Sequence, residues 1–150
     1  MLLNLLVGLP VMFLCLVLQA VFVTRNLRYY ARFKLVRQTG ESQWQDILLL
    51  SMVMLLMLIS NLAQMVIWAV LFMLLGEFSD FTVALYHSAV NFVTLGYGDI
   101  VMGDRWRFLG PLEAVNGILM FGISTAVMTA AVLDVLRHRT AALMEPGADK

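Results

Sequence analysis

The stretch from residue 47 to residue 75 contains no Asp, Glu, Lys or Arg, and this limits the fold more than any other feature of the sequence. So continuous an apolar run belongs in a lipid bilayer. There it must be helical, because hydrocarbon offers no partner for unpaired N–H and C=O groups. A helix of this length reaches roughly 43 Å at 1.5 Å per residue, beyond the ~30 Å hydrocarbon core, so it must tilt or protrude. Residues 5–23 are also uncharged and approach the roughly 20 residues needed for a crossing. The positive charges follow this run instead of preceding it, which favours a retained span over a cleaved signal peptide.

A third long apolar segment, 111–136, is expected to open with Pro111 at the first helical position and Glu113 as a first-turn acid facing the helix dipole. Between the second and third spans, residues 81–93 are apolar but too short to cross. That length suits a re-entrant helix shielded by surrounding protein, with Ser79 or Asp80 as its N-cap.

Composition agrees with a membrane assignment. Hydrophobic residues make up 61% of the chain and charged residues 13%, against an apolar share of about 45–50% in soluble domains. Net charge is zero and no long basic run occurs, which argues against nucleic-acid binding as the main activity. The lone cysteine, Cys15, lies in an apolar run where packing is its expected role, and one cysteine builds neither an internal disulfide nor a cysteine metal site. The acids are scattered, and His87 and His138 fall at different depths, so no nucleophile, base and orienting group come together. The expectation is a protein that is not an enzyme and uses no cofactor.

Charge position sets the topology. Arg25, Arg28, Arg32, Lys34 and Arg37, interleaved with Tyr29, Tyr30 and Phe33, suit a short interfacial helix on the cytoplasmic side. Arg137 and Arg139 belong on that same side, which requires two crossings in between. The re-entrant segment and the N-terminus then lie outside and the C-terminus inside. This reading divides the chain into an N-terminal span (1–24), a basic segment (25–45), a central unit (46–139) and a short cytoplasmic tail (140–150). No charged repeat marks a voltage-sensing helix.

Directly after the re-entrant segment comes Thr94-Leu95-Gly96-Tyr97-Gly98-Asp99. An ion entering a membrane must shed water, and a ring of backbone carbonyls can replace its hydration shell without presenting a full negative charge. Gly96 and Gly98, at alternate positions, permit backbone angles closed to other residues, so successive carbonyls can face one axis. Thr94 adds a hydroxyl at the inner end, while the Leu95 and Tyr97 side chains are expected to point away and pack behind the strand.

This hexapeptide, in this context, resembles the signature of the potassium channel pore family. The resemblance runs over roughly residues 46–139 and leaves the first span unexplained. It implies an all-α membrane protein: three transmembrane helices and a re-entrant pore helix, assembled as a homotetramer in membrane lipid. It further implies a location in the bacterial inner membrane and K+ as the permeant ion, coordinated at Thr94, Leu95, Gly96 and Tyr97, with Gly98 completing the filter. The C-terminal, negative end of the pore helix would point at a central cavity. Tyr86 and His87 stand where relatives carry an aromatic pair, so either could bond Asp99 and support the filter. For His87 a packed, neutral role is the expectation, ahead of pH sensing. Val90 occupies a position that is glutamate in some relatives, which removes a carboxylate pair with Asp99.

Three departures, Val93 for threonine, Leu95 for valine and Met102 for proline, leave a weakly selective cation channel as an alternative. A non-conducting accessory subunit is another. Along the last helix, Gly117 and Gly122 are candidates for a hinge or for close packing, and Met128 to Ala131, with Thr129, resembles a cavity-lining stretch. Ser124 and Thr125 are expected to bond back to their own helix. Asp134 is a gate candidate as an acidic ring, but it lies about 140° around the helix from Thr129. Same-face pairing of Asp134 with Arg137 and His138 is therefore the preferred reading.

Overall fold

A computed structural model describes residues 1–36 and 43–144, all of whose regular structure is α-helical. Helix α1 spans Leu2–Val36, α2 Gln43–Leu74, α3 Phe81–Phe92 and α4 Leu109–Met144. Three of them, α1, α2 and α4, are long and apolar enough to cross a membrane. The short α3 is not. It is held between α2 and α4, while α1 packs on the other two long helices. Apolar side chains from all four helices meet in one core that includes Cys15, Trp68, Phe72, Phe92 and Met120, so Cys15 has the packing role expected of it.

Each helix end has a local cause. The buried positions of α2 recur every three or four residues, as at Leu49, Val53, Met57, Ser60, Gln64, Trp68 and Phe72, which places one stripe against the core. Gly76 then ends the helix with φ of 77°. Its N–H bonds to Met73 O at 3.0 Å and the Glu77 N–H to Phe72 O at 3.1 Å, the paired bonds of a Schellman turn. Glu77 in turn accepts the Gly103 N–H at 2.6 Å, tying the start of the loop before α3 to the segment before α4.

Four polar residues fasten α1 at successive depths. Asn4 Nδ2 donates to Arg105 O at 2.9 Å and Asn26 Nδ2 to Val53 O at 3.3 Å. Tyr30 Oη donates to Asp134 Oδ2. The centre is Gln19, fully buried. Its Oε1 accepts from Ser60 Oγ at 2.6 Å and from Gln64 Nε2 at 2.9 Å, and its Nε2 donates to Ser124 Oγ at 3.1 Å. Together with the small residues Gly8 and Cys15, these positions follow one another at intervals of four and seven, the spacing of a single helix face. In lipid, where apolar contact gives little net drive, such bonds and small residues hold helices together.

Three expectations are corrected. The basic stretch is not a separate interfacial helix: α1 continues through it to Val36, and Arg37 lies outside the described residues. Helix α4 begins at Leu109 and runs to Met144, past 136, so residues 140–144 extend it and 145–150 lie outside the described residues. Glu113 consequently falls beyond the first turn and is not the first-turn acid expected to face the helix dipole. The expected tail, 140–150, is thus partly helix. Asp46 and Arg139 join the start of α2 to α4 through two contacts of 2.8 and 2.7 Å.

Replacing Gln19 by Leu strands Ser60 and Gln64 without their shared acceptor. It also removes the donor to Ser124, and at about 0.6–1.7 kcal/mol per intramembrane hydrogen bond the loss of three should cost about 2–5 kcal/mol in a denaturing-detergent titration. Leu16→Ala, on the exposed face of the same helix, should stay within about 0.5 kcal/mol of wild type.

Candidate functional site

The site grows from the two ends of α3. At its start Asp80 is extended, with φ −109° and ψ 130°, and its carboxylate accepts the N–H groups of Thr82 at 2.7 Å and Val83 at 3.1 Å. Of the two N-cap candidates, Asp80 fills the place. These bonds, Val83's foremost, hold its carboxyl below the usual range.

At the other end the chain leaves the helix but stays tied to it. Thr94 N–H bonds to Asn91 O at 2.8 Å, and the N–H groups of Leu95 and Gly96 both reach Val90 O, at 2.9 and 3.4 Å. In a planar trans peptide the N–H and C=O of one unit point in opposite directions. Amides turned toward α3 therefore send the carbonyls of Val93, Thr94 and Leu95 away from it. Residues with positive φ alternate along this loop: Thr94 at 59°, Gly96 at 60° and Gly98 at 74°. The two glycines meet the conformational need that their spacing implied. Thr94 is the surprise, because a β-branched residue in this region stores on the order of 1–3 kcal/mol of strain, and nothing in its identity announces that.

Two side-chain bonds secure the outer half of the loop. Tyr86 Oη donates to Asp99 Oδ2 at 2.7 Å, so of the two candidates it is Tyr86 that reaches this carboxylate. That hydroxyl is the main cause holding the Asp99 carboxyl below its ordinary range. His87 is buried and turned the other way: Nδ1 donates to Ile100 O at 2.9 Å, and Nε2 accepts from Asn91 Nδ2 at 2.9 Å. Burial holds its ring below the usual histidine range, and both contacts suit a neutral, packed imidazole.

The Leu95 and Tyr97 side chains do not pack behind the strand within one chain, being 51% and 66% exposed. Met102, at the position of the expected proline, is buried in the core. Gly117 is a packing residue: a Cβ there would lie 1.9 Å from Phe92 O, so α4 crosses directly against the end of α3. Gly122 has nothing within 4 Å of a Cβ. Thr129 is exposed, whereas Asp134 is half-buried toward α1, where Tyr30 bonds it. The Asp134 partner identified is thus across the helix interface, and the His138 side chain lies outside the described residues. Ser124 does bond its own helix, at Met120 O, 2.8 Å.

The sequence pattern gave Ser88 no role and made Glu113 a first-turn acid, yet the two meet in the interior at 2.5 Å. A polar side chain on an otherwise apolar helix face was the available signal in both. Among the described residues no three His, Cys, Asp or Glu side chains come together as a metal cage, and the loop offers backbone oxygens instead.

A helix pair around a short re-entrant helix, followed by a loop of outward-turned carbonyls, is the geometry to compare with known proteins. A family model described as an ion channel matches residues 55–134, more than half of the chain, from within α2 to within α4. The chain belongs to the ion channel family. No curated protein matches, and no solved structure matches either. The channel is an all-α integral membrane protein whose matched region contains α3 and the loop and excludes α1.

Two predictions test this geometry in the channel. Gly117→Ala forces α4 off the Phe92 carbonyl and so displaces the helix end from which the loop hangs; loop crosslinking or spin-label distances at residues 94–98 should change, whereas Gly122→Ala should leave them as in wild type. Acid titration tests the Tyr86 bond. Because Asp99 is held low, the bond persists at neutral pH and is lost only as pH falls through that lowered value. Removing the donor in Tyr86→Phe should move Asp99 titration to higher pH by NMR, and an unmoved value would mean that the tyrosine does not support the loop.

Proposed function

We propose that four copies of this channel assemble around one axis and conduct K+ selectively through Thr94, Leu95, Gly96, Tyr97 and Gly98. The alternation of positive φ at Thr94, Gly96 and Gly98, with the loop amides drawn to Val90 and Asn91, carries this reading. One chain supplies one strand of carbonyls, and enclosing a bare cation takes several. Exposure of Leu95 and Tyr97 supports the assembly, since neighbouring copies would cover them. The exposed face of α4, with Gly122, Thr125 and Thr129, would then line the path below the filter. K+ waits there at the negative end of α3.

The basic stretch of α1 and the Asp46–Arg139 pair lie at the cytoplasmic end in this arrangement, and the loop faces outside. Membrane lipid surrounds the rest. The bacterial inner membrane is the proposed setting, on the strength of the resemblance alone.

Reconstituted protein should show a reversal potential that follows the K+ gradient and a current blocked by barium, a divalent ion of similar size. Equal permeation of Na+ and K+ would leave a weakly selective channel, and no current at all an accessory subunit. Gly98→Ala should abolish selective current while leaving an assembled protein, because the strain is only about 1–3 kcal/mol per chain but bears directly on carbonyl direction. Wild-type selectivity in Gly98→Ala would place the filter elsewhere.

A further inference from the structure

Glu113 is fully buried where α4 meets α3, and among the described residues no ion pair reaches it. Its Oε1 lies 2.5 Å from Ser88 Oγ, and Oε2 has no hydrogen-bond partner. The same Ser88 Oγ lies 2.8 Å from the carbonyl oxygen of Met65 on α2. A serine hydroxyl has one proton to give and lone pairs with which to accept, whereas a carbonyl can only accept. If Ser88 gave its proton to a Glu113 carboxylate, a serine lone pair would face the Met65 oxygen at hydrogen-bond distance. Both contacts become favourable when Ser88 donates to Met65 and the carboxyl supplies a proton of its own.

The surroundings agree with an uncharged acid. Cys15 faces the carboxyl from α1, the Met65 carbonyl lies across from it on α2, Ser88 and Asn91 face it from α3, and His87 is reached only through Asn91. One turn further along α2 and α4, the Trp68 Nε1 and both amide atoms of Asn116 are buried without partners. The surroundings are polar, but among the described residues no cationic side chain pairs with the carboxylate. An unpaired charge in such a place is strongly disfavoured.

We infer that Glu113 is kept as a neutral acid that donates its proton to Ser88, clamping the middle of α3 to α4 and to α2 as a positioning residue for the filter loop. Val90, whose carbonyl holds the Leu95 and Gly96 amides, is two residues beyond Ser88 on the same short helix. Ionising or shortening Glu113 frees that helix from α4. Only the functional consequence of this clamp rests on the conduction reading; the proton itself does not.

The test uses the full-length assembled protein. Infrared spectra at neutral and mildly alkaline pH should show a protonated-carboxyl C=O band in wild type that is missing from Glu113→Gln, whose neutral amide keeps a donor for Ser88. In bilayers, Glu113→Gln should hold the K+/Na+ permeability ratio within about twofold of wild type, whereas Glu113→Asp and Ser88→Ala should lower it about tenfold or more, the effect of losing one such contact. Identical wild-type and Glu113→Gln spectra in that band would overturn the proposal. So would a Glu113→Gln protein as unselective as Glu113→Asp. A band in wild type that persists into mildly alkaline pH supports it without any variant, should substitutions prevent assembly. If wild type proves unselective, the conduction reading fails, and the infrared comparison still decides the proton.

Discussion

The Val90 carbonyl oxygen, accepting the amides of Leu95 and Gly96, is the contact on which the rest of the site depends. Non-helical backbone at membrane depth is tolerated only where protein or water satisfies its polar groups. Here the end of a helix performs that service, since its last carbonyls lack partners of their own. One arrangement meets both needs: the loop gains acceptors for its amides, and α3 gains donors for its final turn. The direction of the loop carbonyls then follows from peptide geometry and requires no side chain to aim them. What side chains add is position, through Tyr86 on Asp99, His87 on Ile100 and Ser88 on Met65 and Glu113.

Such precision requires that α3 itself be held, and this gives α1 a purpose within the fold. It packs on α2 and α4, and the matched family region omits it. Yet its Gln19 bonds Ser60 and Gln64 of α2 and Ser124 of α4, the two helices that enclose α3. Near the opposite membrane faces, Asn4 reaches Arg105 O and Tyr30 reaches Asp134. A polar residue on a membrane helix has no water to return to, so such ties favour one register of α1 over its neighbours.

How much of this was legible in the sequence varies with the range of the interaction. Span number, the short re-entrant helix and the Asp80 cap are local consequences of apolar length and a capping side chain, and they could be read directly. The glycines at 96 and 98 were legible for the same reason, because positive φ selects glycine. Thr94 was not, since its strain is imposed by its own bond to Asn91 and those of Leu95 and Gly96 to Val90, contacts that form only once the loop folds back. The extension of α1 through its basic stretch escaped because Arg and Lys suit an interfacial helix and a prolonged one equally well. Glu113 was misplaced by a start of α4 only two residues earlier than expected, which moved it from the first turn into the interior. Its partner Ser88 lies on another helix, and no spacing within one helix reveals such a pair.

The contact between Gly117 and Phe92 also limits how α4 can move. A backbone carbonyl that would lie 1.9 Å from an added Cβ means that the two main chains are already at closest approach, so α4 cannot rotate or shift at this level without carrying the end of α3 with it. The Ser88–Glu113 contact fastens α4 to the same helix one turn earlier. Any bend of α4 that leaves the loop undisturbed must therefore begin on the far side of Gly117. The next glycine is Gly122, which is exposed and has open space about it. Beyond it, Ser124 and Asp134 tie α4 to α2 and α1 through side chains, which can turn in ways that main chains in contact cannot. The helix is thus divided by its own packing into a rigid upper part that belongs to the loop and a lower part whose constraints are softer. That division arises from one glycine pressed against a carbonyl and another left with nothing beside it.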